Sequence, residues 1–137
     1  MTTFKRYFSV FLTIGIVIFV LGCALTLKDN FKWHNVIAFI LAIFIYIFPM
    51  SLYLSQQASI VELKIIKSNE NIITEIEKIS TTKCNRENKE VKNGEIIYSM
   101  KNDFSAWLTN PIKVLDHGEY IILEVPRAYK NQFNNFL

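Results

Sequence analysis

The chain has 137 residues, 51% of them apolar and 14% aromatic, with a net charge of +3. That charge is unevenly held: residues 1–54 carry Lys5, Arg6, Lys28 and Lys32 against Asp29, while 55–137 hold eleven basic and eleven acidic residues. A neutral C-terminal part with no Lys/Arg cluster is a poor nucleic-acid binder, and the absence of a Gly-rich phosphate loop, G-x-S-x-G, H-E-x-x-H or C-x-x-C points away from an enzyme and gives no metal or cofactor site.

Two uncharged apolar stretches come first, Tyr7 to Leu27 and Val36 to Leu54, parted by KDNFKWHN. Their 21 and 19 residues suit a hydrocarbon core of about 30 Å at about 1.5 Å rise per residue. Thirteen residues of the first and twelve of the second are Leu, Ile, Val or Phe, enough for their insertion energy to outweigh the few Ser, Thr and Gly. The remaining eighty-odd residues could not bury two all-round apolar helices, so the expected anchor is a two-span transmembrane hairpin over 1–54. Lys5, Arg6, Lys64 and Lys67 flank the outer ends and only Lys28 and Lys32 the loop, which favours cytoplasmic N- and C-termini. Phe31 and Trp33 in the loop, with Tyr7 and Tyr53 at the opposite ends, fit interfacial anchors.

Within the spans there is no Asp, Glu, Lys, Arg or His, and hence no candidate ion path or proton relay. Gly15 and Gly22, and Ala38 and Ala42, allow close helix approach or an oligomer face, and Pro49 is expected to kink the last turn of the second span. Val20-Leu21-Gly22-Cys23 also reads as a loose lipoprotein signal, but bulky Leu21 and the second span argue against it. Cys23 and Cys84 cannot easily meet, and in the favoured topology His34 and His117 lie on opposite sides of the membrane.

Residues 55–137 read as a small α+β domain, mainly β. Ser59 to Ile66 alternates Val61, Leu63 and Ile65 against Glu62 and Lys64, the period of a half-buried strand. Ile72, Ile76 and Ile79 have helical spacing within a β-branched composition, which leaves both readings open. Asn93-Gly94 predicts a tight hairpin leading into Glu95 to Met100. A second hairpin is expected across Asp116-His117-Gly118, into a strand from Tyr120 to Val125. Phe104 and Trp107 are expected to fill the core, the alternative being that Trp107 is exposed as a binding anchor. Pro126 suits a first helical position, and Tyr129, Phe133 and Leu137 at i, i+4 and i+8 predict an amphipathic C-terminal helix, either a capping lid on the sheet or a partner motif.

A membrane hairpin followed by short strands, with EYIILEVPRAYKNQFNNFL at the end, resembles the bacterial membrane-anchored pleckstrin-homology-like (PH-like) proteins, although eighty-odd residues are short for a seven-stranded domain. Within that set the hairpin, TNPIKVL (Thr109 to Leu115) and EYIILEVP resemble the sublancin-immunity family of bacilli across the whole chain. The resemblance implies bacteriocin immunity: a bacterial cell-membrane protein, with its PH-like domain in the cytoplasm, that protects a producer cell from its own glycosylated antimicrobial peptide. Such immunity is binding and not a reaction, with the bilayer and either the bacteriocin or its membrane target as partners. The Asn- and Ile-rich composition agrees with an AT-rich bacterial or prophage gene. The candidate contact residues are Phe31, Trp33 and His34 in the loop and Trp107 in the domain. The rival reading is a membrane-tethered PH-like adaptor for a partner protein, unconnected with bacteriocins. A phage holin fits the two spans and the small size, but not a mixed-charge domain of this length.

Overall fold

The first apolar stretch forms α1 (Thr3–Thr26), and the second is one continuous helix of 26 residues, Trp33–Ala58, in the computed structural model. The structure describes residues 2–26 and 32–137, so Phe31 lies outside the described residues. The second helix comprises α2 (Trp33–Ala42), a π-helical turn (Ile43–Ile47) and α3 (Phe48–Ala58). Where a kink at Pro49 was expected, the helix widens just before the proline: the amide of Phe48 reaches back to the carbonyl of Ile43. Proline has no N–H and its ring crowds the carbonyl four residues earlier, and a π turn relieves that crowding without ending the helix. Two residues further on, the buried hydroxyl of Ser51 donates to the carbonyl of Ile47 at 2.6 Å. Such a bond satisfies backbone that irregular helix geometry would leave short of a partner.

Aromatic rings and one glycine hold the hairpin together. Phe19 stacks on Phe39 at 4.6 Å, and Phe48 meets Phe4 edge-on at 5.6 Å. At Gly15 a Cβ would come within 3.0 Å of Ile47 Cδ1, so the π turn lies where the first helix is thinnest. Elsewhere both helices turn apolar side chains outward: Ile18, Leu21, Phe44 and Tyr46 are all more than half exposed. These are helices whose length and composition suit a bilayer.

Two compact units divide the chain, Met1–Gln56 and Gln57–Leu137. The second is an α+β unit around a five-stranded antiparallel sheet in the order β1-β5-β4-β3-β2. Its strands are β1 (Ile60–Ile66), β2 (Asn88–Lys92), β3 (Glu95–Ser99), β4 (Ile112–Asp116) and β5 (Tyr120–Pro126). β2 to β5 form a meander, whereas β1 pairs with β5 along its whole length, from Ile60 opposite Pro126 to Ile66 opposite Tyr120. β1 and β2 therefore run parallel at opposite edges, and α4 (Ile72–Thr82) carries the chain between them.

The strand alternation decides which face is buried. Leu63 and Ile65 of β1, Ile121, Leu123 and Val125 of β5, Ile112 and Val114 of β4, and Tyr98 of β3 share one face and are almost completely buried. Ile72 and Ile76 of α4 close over them, with Ile73 and Ile79 at the margin. Tertiary burial thus decides the segment that its β-branched composition left open: as a helix, the isoleucines form one stripe that caps the sheet. Both expected turns are present. Asn93 and Gly94 adopt φ of 53° and 78°, as a type I′ hairpin needs, and Gly118 has φ 88° before β5. β2, a polar run before the Asn93-Gly94 turn, is exposed throughout and carries Lys89, Glu90 and Lys92 at the sheet edge.

Two expectations at the C-terminus are corrected. Pro126 ends β5 opposite Ile60 with extended backbone and is not a first helical residue. The helix that follows, Arg127–Phe136, is a 3-10 helix packed on β1, β5 and α4. Its tighter turn, about three residues, replaces the expected Leu137 with Phe136 at the core. Phe133 is fully buried, Tyr129 and Phe136 pack at its sides, and Leu137 is 61% exposed.

Candidate functional site: binding surfaces of the two units

In the hairpin unit, Trp33 and His34 open α2 side by side, both exposed, Trp33 by 78%. The adjacent Phe31 is outside the described residues. Trp107 belongs to the other unit, so Trp33 and His34 are the two candidates brought together. A cleft of about 530 Å³ runs between the two helices, floored by Ala38, Ala42, Gly22 and Cys23 with Phe19 and Phe39 at its wall. The two glycines differ in role. Gly15 serves the close approach to Ile47, while a Cβ on Gly22 would meet nothing within 4 Å.

The globular unit has a groove of about 560 Å³ that the sequence did not disclose, because it is assembled from three distant segments. Ile72 and Ile79 of α4 and Phe136 of the terminal helix form its apolar floor. Glu75 and Lys78 of α4, with Ser68 and Asn69 from the turn after β1, make a polar rim carrying both signs of charge. An apolar floor with a few placed polar groups is suited to holding a short segment of another protein by one or two apolar side chains.

Beside the core lies a buried arginine. Arg86 is 2% exposed, and its Nη1 donates to the carbonyl of Cys84 at 2.8 Å, while Nε and Nη2 both donate to the carbonyl of Asn110 at 3.2 and 3.0 Å. Its guanidinium lies 4.8 Å from the ring centroid of Tyr129. The planar fork of donors explains why arginine stands here, since one carbonyl can receive two of its N–H groups. Asn85, at φ 54°, turns the chain so that the amide of Arg86 returns to the carbonyl of Ser80 at 3.0 Å. Asn110 in turn donates its side-chain amide to the carbonyl of Ala58 at 2.7 Å, the last residue of α3. Burial pushes the Cys84 thiol up, partly offset by the positive charges of Arg86 and Lys83. Lone, buried and neutral, this thiol is a packing group. Among the described residues no three His, Cys, Asp or Glu side chains are grouped to hold a metal.

Phe104 and Trp107 do not fill the core. They stand on α5 (Asp103–Leu108), 56% and 41% exposed, with their rings 5.9 Å apart. The helix is fixed at its start by Asn102, whose Oδ1 accepts from the amides of Phe104 and Ser105 at 2.9 and 3.2 Å. At its end the hydroxyl of Thr109 donates to the carbonyl of Ser105 at 2.7 Å. The expectation failed because the sheet's inner face is already closed by α4 and the terminal helix, which leaves no apolar space for these two rings. The sequence carried one signal for this outcome: Asn102 and Asn110 bracket a stretch too short to be a covering helix. No family model, curated protein or solved structure matches this chain.

Proposed function

We propose that this chain is a membrane-anchored bacteriocin-immunity protein, holding a cytoplasmic binding domain on a two-span hairpin and protecting the cell by masking the antimicrobial peptide or its membrane target. The observation that carries this reading is the union, in 137 residues, of two outward-facing apolar helices with a neutral folded unit that has its own groove. Anchoring supports the mechanism. A binding unit confined to the membrane meets a membrane-borne target at an effective concentration far above its bulk value. The segments behind the proposed sublancin-immunity kinship, TNPIKVL and EYIILEVP, form the paired strands β4 and β5 at the centre of the sheet. The PH-like assignment rests on the antiparallel sheet and on the C-terminal helix packed against it, with five strands and the inserted α4 as departures from a seven-stranded pattern.

Expression of the full chain in a bacterium sensitive to a glycosylated bacteriocin tests the proposal. The expected result is growth at peptide concentrations that stop control cells, and unchanged sensitivity would rule immunity out. The groove between α4 and the terminal helix also favours the second reading, an adaptor that holds a partner's cytoplasmic segment without any connection to bacteriocins. Under that reading the chain gives no resistance, and Ile79→Glu in the groove floor abolishes capture of the partner.

A further inference from the structure

The five-stranded sheet ends in two edge strands, and they are not alike. β2 is five residues long with three of them charged, whereas β1 runs seven residues, Ile60–Ile66, in unbroken register with β5 and without a bulge or a proline. Natural edges are usually blunted by shortness, proline, bulges or lysine. On β1 the one lysine is held over its own sheet, with Nζ 4.4 Å from the centroid of the Tyr120 ring.

Hydrogen bonding fixes which way the backbone groups of β1 point. The amide of Lys67 donates to the carbonyl of Glu119, and that of Arg127 to the carbonyl of Ser59, so the odd-numbered residues of this strand are the ones bonded to β5. In an antiparallel pair the alternate residues turn their N–H and C=O the other way. The backbone groups of Ile60, Glu62, Lys64 and Ile66 therefore face out from the sheet, and among the described residues no backbone group bonds to them from that side.

A second copy of the same strand fits this edge. Laid antiparallel about a two-fold axis at Leu63, it sets Ile60 opposite Ile66 of the second copy, Glu62 opposite its Lys64, and Leu63 opposite its Leu63. Every outward-facing residue then meets an apolar or an oppositely charged one, and the four bonded pairs exchange about eight hydrogen bonds. Neighbouring registers are worse. A slip of two residues centres the axis on Glu62 or on Lys64 and sets like charges together, and a slip of one opposes outward-facing groups to inward-facing ones. Glu62 also gains a cation, since in its own chain it lies opposite Glu124, and among the described residues no ion pair reaches it.

We infer that this chain forms a two-fold dimer through β1, which joins two five-stranded sheets into one across the Glu62–Lys64 pairs. The interface stands on the globular unit alone and goes beyond the function proposed above.

Full-length protein in detergent, weighed by light scattering with the detergent subtracted, should have a protein mass twice the 16.0 kDa of one chain. Glu62→Lys and Lys64→Glu should each return it to the mass of one chain by setting like charges together, and the two substitutions combined should restore the dimer. In the wild type the amides of residues 60, 62, 64 and 66 should exchange with deuterium about tenfold more slowly than in either single variant. A mass of one chain in the wild type would overturn the inference and leave the edge to an extended segment of another protein. Equal masses in all four proteins would overturn it as well, because association through the hairpin is indifferent to these charges, and so would a double variant that stays monomeric.

Discussion

Two donors of Arg86, Nε and Nη2, converge on the carbonyl oxygen of Asn110, and the Asn110 side chain passes the connection on to the carbonyl of Ala58. One buried cation thereby joins the loop after α4, the loop before β4 and, through Asn110, the last residue of α3, and stacks on the terminal helix through Tyr129. Replacing it with an apolar side chain strands two carbonyls, those of Asn110 and Cys84. Arg86→Met should cost the globular unit about 2–3 kcal/mol, since hydrogen bonds to charged groups are each worth about 1.5–3 kcal/mol and part of that is returned by relieving a buried charge. Arg86→Lys should restore little, because a point charge cannot supply the fork. Thermal unfolding of the three proteins in detergent measures both differences.

Tyr98 makes the opposite case. Its hydroxyl is buried without a hydrogen-bond partner among the described residues, and burial, aided by the nearby charge of Glu77, pushes its pKa up to about 12. Tyr98→Phe removes an unsatisfied polar atom and keeps the ring, so stability at neutral pH should be unchanged or rise by about 1 kcal/mol. The pH dependence has a definite sign. A phenol that ionises at about 10 in the unfolded chain and at about 12 in the folded one contributes stability that is complete below pH 10 and is lost as pH rises toward 12. Unfolding midpoints measured across that window should fall less steeply in Tyr98→Phe.

At the β4–β5 turn, the carboxylate of Asp116 accepts from the amide of Gly118 at 2.9 Å and from Lys67 Nζ at 3.0 Å, and these bonds hold its pKa below the usual carboxylate range. A lowered carboxylate stabilises the fold above its unfolded pKa, and that contribution disappears as pH falls through the folded value. Asp116 is exposed and Lys67 partly so, and screening by solvent keeps the pair small. Lys67→Met should cost no more than about 0.5 kcal/mol at pH 7 in low salt, and nothing measurable in high salt or well below pH 3, as denaturant titrations would show.

The hairpin offers a matched pair of glycines. A Cβ on Gly15 would lie 3.0 Å from Ile47 Cδ1, whereas one on Gly22 would meet nothing within 4 Å. Gly15→Leu should force the helices apart and lower the melting temperature of the reconstituted protein, while Gly22→Leu should leave it within experimental error. Equal effects would mean that the close approach at the π turn does not hold the hairpin together.

Much of this architecture was legible from local pattern. Apolar length marks both helices, alternation marks β1, the Asp116-His117-Gly118 turn leads into β5, and Asn93-Gly94 marks the other hairpin, each turn holding left-handed backbone. What was hidden depended on partners distant in sequence. The isoleucines of α4 become helical by closing the sheet, and β2 is a strand only because β3 returns beside it. Tyr129, Phe133 and Leu137 were the right kind of stripe at the wrong period, since a 3-10 helix exchanges Leu137 for Phe136. Of the candidate contacts, Trp33 and His34, expected in the loop before the second span, instead open α2, because the helix begins three residues ahead of the uncharged stretch. The groove on α4, by contrast, needs the turn after β1 and the last two residues of the terminal helix, some seventy positions apart.

The proposed function requires a hairpin that crosses the membrane twice and leaves both termini, with the folded unit, in the cytoplasm. Reporter fusions in the full chain test it most directly, with alkaline phosphatase and a fluorescent protein each joined after Lys32 and at Leu137. Phosphatase activity at Lys32 and fluorescence at Leu137 are expected. Fluorescence after Lys32, or phosphatase activity at Leu137, would contradict it.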